Sequence, residues 1–154
     1  VLVCTLVGTP VLARDADGSA KIRLLGAVAE EAKSRVTVAQ IEAIGTAEID
    51  AYNPYEKKSD IYTGVWMRDF AAHFGAPGVT TITMTAIDDY EITFEKSEWD
   101  ALRILIATQV NGSYMRLENK GPMRIIFPDY DPKLEAYQVN LPKWMWMIKR
   151  IEFN

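Results

Sequence analysis

Apolar and polar side chains alternate with a period of two along much of this chain, the signature of strands with one covered face. Lys21 to Val28 reads as an early strand. Thr46 to Ala51 sets Ala47, Ile49 and Ala51 against Glu48 and Asp50, and Val79 to Ile87 sets Thr80, Ile82, Met84 and Ala86 against Thr81, Thr83 and Thr85. Glu91 to Phe94 follows as another strand, and Met123 to Phe127 and Met147 to Phe153 read as two late ones. Leu102 to Val110 is apolar and runs into Asn111-Gly112, a strong turn signal. Two stretches carry the helical period instead. Thr37-Val38-Ala39-Gln40 has the spacing of a capping box, with Ile41 and Ile44 behind it and Gly45 as the stop. Val65 to Phe74 places Met67, Phe70, Ala71 and Phe74 on one stripe before Gly75 and Pro77 end it. Ser97 to Asp100 starts a short helical turn. Glu30 to Arg35 is a polar turn, and Glu56, Lys57, Lys58 and Asp60 read as a solvated loop of mixed charge. The pattern predicts a mixed, strand-rich α+β domain.

Composition sharpens this in three places. With 154 residues, 49% of them hydrophobic, the chain can build one core of ordinary size. A formal charge of −4 excludes a broad nucleic-acid surface. Residues 1–13, from Val1 to Ala13, resemble the apolar part of a signal peptide, with Val11 and Ala13 as the small cleavage positions. That reading makes them a partial signal peptide ahead of a domain at 14–154 and puts the protein in the periplasm or outside the cell. A first β-strand is the alternative. The run is too short for stable membrane insertion.

Cys4 is the only cysteine and His73 the only histidine. Removal of the signal would leave no thiol for a disulfide, a nucleophile or a soft metal ligand. His73 falls on the amphipathic helix and cannot form a zinc site alone. Asp129-Tyr130-Asp131 lacks the spaced carboxylates and late Glu of a calcium loop. No metal is expected.

Several short segments are informative as an ordered set. They are Thr63-Gly64-Val65 with Arg68-Asp69, Asp89-Tyr90, Ile106 to Gly112, Lys120-Gly121-Pro122-Met123-Arg124 to Pro128, and Trp146 to Glu152. In this order and spacing they resemble the molybdopterin-binding domain of the sulfite-oxidase-type superfamily, over about residues 21 to 154. The likeness is stronger to a small secreted branch of that fold. The chain departs from the enzymes at two points. Their molybdenum is ligated by a cysteine, but the matching stretch Thr46 to Tyr55 holds none. A basic residue that grips the cofactor phosphate in the enzymes is replaced by Trp146, which trades a phosphate contact for a stacking face.

The resemblance implies a pocket lined by Tyr55, Asp89, Tyr90, Lys120, Arg124 and Trp146 and a pterin or molybdopterin-like ligand. Arg124 would bond a pterin carbonyl or phosphate, or else pair with a carboxylate. Asp89 would read the aminopyrimidine N–H edge, or else shape a turn with Asp88. Tyr55 and Trp146 would stack on the ring; Trp144 and Trp146 are expected on one face of an extended strand. Tyr114 has a weaker claim. The implied function is a non-catalytic periplasmic pterin-binding protein that relays its ligand state to the periplasmic domain of a membrane signalling protein. The alternatives are a molybdopterin-dependent oxidoreductase with atypical metal ligation and a ligand-free interaction domain.

Overall fold

The structure is a computed structural model that describes residues 17–154. The apolar run at residues 1–13 lies outside them. β1 (Lys21–Gly26) buries Ile22 and Leu24 and exposes Lys21 and Arg23, as its alternation requires. It pairs antiparallel with β2 (Arg35–Thr37). Thr37 then caps α1 (Val38–Glu42): its hydroxyl accepts from the Gln40 amide, and the Gln40 side chain accepts from the Thr37 amide.

β3 (Ala47–Asn53) and β4 (Lys58–Trp66) form an antiparallel hairpin, and α2 (Met67–Phe74) follows directly. A second hairpin, β5 (Thr81–Ala86) and β6 (Glu91–Glu95), leads into α3 (Lys96–Ala101). β7 (Leu105–Val110) turns through Asn111-Gly112 into β8 (Ser113–Tyr114). β9 (Arg124–Ile126), α4 (Glu135–Gln138) and β10 (Ile148–Phe153) complete the described elements.

The strands make two five-stranded sheets. One has the order β2-β1-β10-β5-β6, with β10 parallel to β1 and antiparallel to β5. The other has the order β3-β4-β7-β8, and β9 also pairs with β7. Their covered faces and α2 share one apolar cluster, in which Phe70 stacks on Phe153 at 5.7 Å between ring centres. A short crossing joins the sheets. The Ile125 amide bonds the Met145 carbonyl at 2.8 Å, and the Met147 amide bonds the Lys120 carbonyl at 3.1 Å. Among the described residues, no helix is long and apolar enough to cross a membrane.

Three sequence expectations change. Lys58 and Asp60 belong to β4, a strand paired on both sides, instead of a solvated loop. The helix starts at Met67, because Val65 and Trp66 are taken by pairing with Ile106 and Leu105. Trp144 and Trp146 share no strand face. Pro142 sits in a 3-10 turn (Leu141–Lys143), Trp144 ends that turn, and Trp146 makes a single bridge to Arg124.

Candidate functional site

The two cations of the Lys120–Arg124 segment meet at the crossing between the sheets. A 3-10 turn (Leu117–Asn119) ends on Lys120, whose φ of +67° turns the chain sharply. Gly121 follows in close contact with Met115: a Cβ at this position would lie 2.2 Å from the Met115 carbonyl oxygen. Only glycine fits there. The strand that starts at Arg124 then carries the guanidinium inward, where the residue is 4% exposed and lies over the Tyr62 ring.

Both cations converge on Glu56. Its Oε1 accepts from Lys120 Nζ at 2.9 Å and from an Arg124 terminal nitrogen at 3.1 Å. Buried Asn53 fixes the carboxylate, because its Oδ1 accepts from the amides of both Tyr55 and Glu56. Burial pushes the Glu56 carboxyl up, but the Lys120 hydrogen bond and the Arg124 charge outweigh it and hold the group below its usual range. Glu56 is therefore ionised at neutral pH. The three residues line a cleft of about 330 Å3 with Lys58, Asp60 and Glu118 at its sides. That volume lies within the roughly 300–1,000 Å3 of small-molecule sites.

Trp146 packs against Lys120 and Tyr55 and lines a neighbouring cleft instead of this one. Lys120 Nζ stands 4.9 Å from its ring centre, and Tyr55 meets it edge-on at 5.8 Å. Of the six expected site residues, the structure brings Tyr55, Lys120, Arg124 and Trp146 into one contiguous group. Tyr90 borders a second, smaller cleft of about 160 Å3 on the other side of Trp146, together with Trp144. The Trp144 indole N–H is buried there with no hydrogen-bond partner among the described residues.

The two tyrosine hydroxyls are engaged elsewhere. Tyr55 donates to the Leu141 carbonyl at 2.7 Å and Tyr90 to the Pro142 carbonyl at 2.9 Å. These bonds strap the 3-10 turn from both sheets. Asp89 stands apart from both clefts. It is the left-handed residue of the β5–β6 turn, with φ +67°, and its carboxylate accepts from Lys149 Nζ at 2.7 Å. That hydrogen bond lowers its pKa. Tyr114 donates to Glu42, which also accepts from Thr108 and Gln109, so its hydroxyl belongs to a link between α1 and β7.

Sequence reasoning missed Glu56 and Asp60. Both look like solvated charges in a Lys-rich stretch. The only available signal was position, since Glu56 directly follows Tyr55, an expected pocket residue. Asp60 accepts from Asn111 Nδ2 at 3.0 Å and pairs with Lys58 at 3.2 Å. Burial raises its pKa, and the Asn111 and Lys58 bonds more than reverse that.

Chemically, the cleft offers three cations, two of which share the Glu56 carboxylate, and three acidic side chains. Among the residues lining it, sulfur comes only from the Met115 thioether. Residues 46–55, where the resemblance led us to expect a metal-ligating position, form β3 and its turn and hold no cysteine.

No family model matches the sequence, and no curated protein matches it. Among solved structures, the sulfane dehydrogenase SoxCD from Paracoccus pantotrophus superposes with a TM-score of 0.61 at 14% identity. The match covers 92% of this chain and 40% of that one, so the chain spans less than half of the neighbour's length. The chain is thus a mixed, strand-rich α+β domain with the fold of part of a sulfane dehydrogenase.

Proposed function

We propose that this chain is a non-catalytic binding protein for a pterin-type small molecule. It would act in the periplasm or outside the cell and report its ligand state to the outer domain of a membrane signalling protein. The observation that supports this reading best is the grouping of Lys120, Arg124 and Glu56 at one cleft, with Trp146 packed against Lys120. Such a group can meet a flat heterocycle with donors, an acceptor and a stacking face. The signalling partner rests on the resemblance of the sequence to the secreted branch, an argument from analogy.

A phosphorylated, metal-bearing molybdopterin fits these residues poorly. Both cations that would take its phosphate already contact Glu56, and the cleft lining supplies no thiolate for a soft metal. A plain pterin needs neither. The fold shared with a dehydrogenase nevertheless favours a second reading, an oxidoreductase with atypical ligation.

Two measurements on protein purified from a periplasm separate the readings. Heat extraction is expected to release a blue-fluorescent pterin, and elemental analysis to find molybdenum far below one equivalent. Added pterin is expected to quench Trp emission in the wild type and several-fold less in Trp146→Phe. Stoichiometric molybdenum would overturn the binder in favour of the enzyme. Absence of released pterin, with emission unchanged by added pterin in both proteins, would leave an interaction domain.

A further inference from the structure

The charge balance of the Glu56 cleft assigns a selective role to one residue. Lys58, Lys120 and Arg124 face Glu56, Asp60 and Glu118 across its walls, three formal charges of each sign. Lys58 and Asp60 pair with one another at 3.2 Å, and both deeper cations contact Glu56. An entering phosphate, sulfate or carboxylate would have to compete with Glu56 for Lys120 and Arg124. It would leave that carboxylate partly buried beside a second anion, which is costly. A neutral ligand with N–H donors meets no such barrier. The Lys120 and Arg124 hydrogen bonds both end on Oε1, and Glu56 stays ionised and acceptor-only.

We propose that Glu56 is the specificity-determining residue of this cleft: it reads the N–H edge of a neutral heterocycle and excludes anionic ligands from Lys120 and Arg124. This rests on the pterin-binding reading for its first half only. The exclusion of anions follows from the ion-pair geometry alone.

Calorimetric titration of the full chain with two probes, 2-amino-4-oxopteridine and inorganic sulfate, tests both halves. Sulfate keeps its charge near neutral pH and offers no ring. The wild type is expected to bind the pteridine and to take up sulfate only weakly. Glu56→Gln is expected to lose about tenfold or more in pteridine affinity and to gain about tenfold for sulfate, because one charged acceptor has gone and two cations are released. Glu56→Asp retains the charge but not the reach, so it should lose pteridine affinity and gain less for sulfate than Glu56→Gln does. Thermal unfolding of each variant confirms that it is folded. Tight sulfate binding by the wild type overturns the proposal, as does unchanged sulfate affinity in Glu56→Gln. Should Glu56→Gln not fold, pteridine affinity unaltered in Glu56→Asp overturns it. Sulfate gain in Glu56→Gln without pteridine binding by any protein would sustain the exclusion and refute the pterin reading.

Discussion

Gly64 lies where β4 comes closest to β7. A Cβ on it would sit 2.2 Å from the Ile106 carbonyl oxygen and 2.7 Å from the Ala107 Cα, both backbone atoms that cannot step aside cheaply. Gly64→Ala should therefore cost about 3 kcal/mol or more, the upper end of overpacking penalties. Urea unfolding with an unchanged m-value would read this directly. The residue was legible as part of Thr63-Gly64-Val65, but its reason was not, since the partner strand is distant in sequence. Glu56 is the complementary case. Nothing in its neighbours signals burial, because the cations that draw it inward come from residues 120 and 124. Asp89, by contrast, shows that a correctly read turn can carry a carboxylate with no place in either cleft.

At the level of elements, alternation was a sound guide wherever one face of a strand is covered. β1, β3 and β6 follow it, β5 does so as far as Met84 before Thr85 is buried as well, and the turn at Asn111-Gly112 joins β7 to β8. β4 escaped because its first half inverts the rule: Ile61 is 44% exposed while the Asp60 side chain is only 10% exposed. The inversion leans on Asn111, which donates to Asp60 Oδ1 and is supplied only by the folded hairpin, and on the Lys58 charge 3.2 Å from Oδ2, an oxygen with no hydrogen-bond partner among the described residues. The 3-10 turn (Leu141–Lys143) was equally hidden. It is held by hydroxyl groups from two separate hairpins, and its two acceptor carbonyls are adjacent. Tyr55→Phe and Tyr90→Phe should each cost about 1 kcal/mol, as for a typical hydrogen bond. Both hold the same turn, so a double-mutant cycle in denaturant should show coupling above about 0.5 kcal/mol. Strict additivity would mean that the straps act independently.

For the whole molecule, acid should act through several ion pairs together. Glu56, Asp60, Asp89 and Asp129 all have pKa values below the ordinary carboxylate range, each in contact with a cation. The unfolded chain, with ordinary carboxyls, takes up protons first as pH falls. The stabilisation is thus complete above about pH 5, beyond the unfolded values, and is lost progressively as pH drops through about 4 toward the lower folded ones. Thermal midpoints should be level between pH 6 and 7 and decline below about pH 4. The part owed to exposed Asp89–Lys149 should shrink in high salt, while the Glu56 cluster should persist. A flat profile down to pH 3 would show that these contacts do not act on stability.

β10 carries one more consequence. It stands between β1 and β5, so the β1–β2 and β5–β6 hairpins have no hydrogen-bonded contact except through it. Both hairpins precede it in the chain by many residues, and neither can become an interior part of the sheet until Ile148 to Phe153 slides between them. Assembly is then closer to fastening a zip from the middle than to adding strands at an edge. One sheet is thus joined through six residues, and the bonds of Met145, Met147 and Ile148 to the Lys120–Ile125 segment lie at the entry to that same strand.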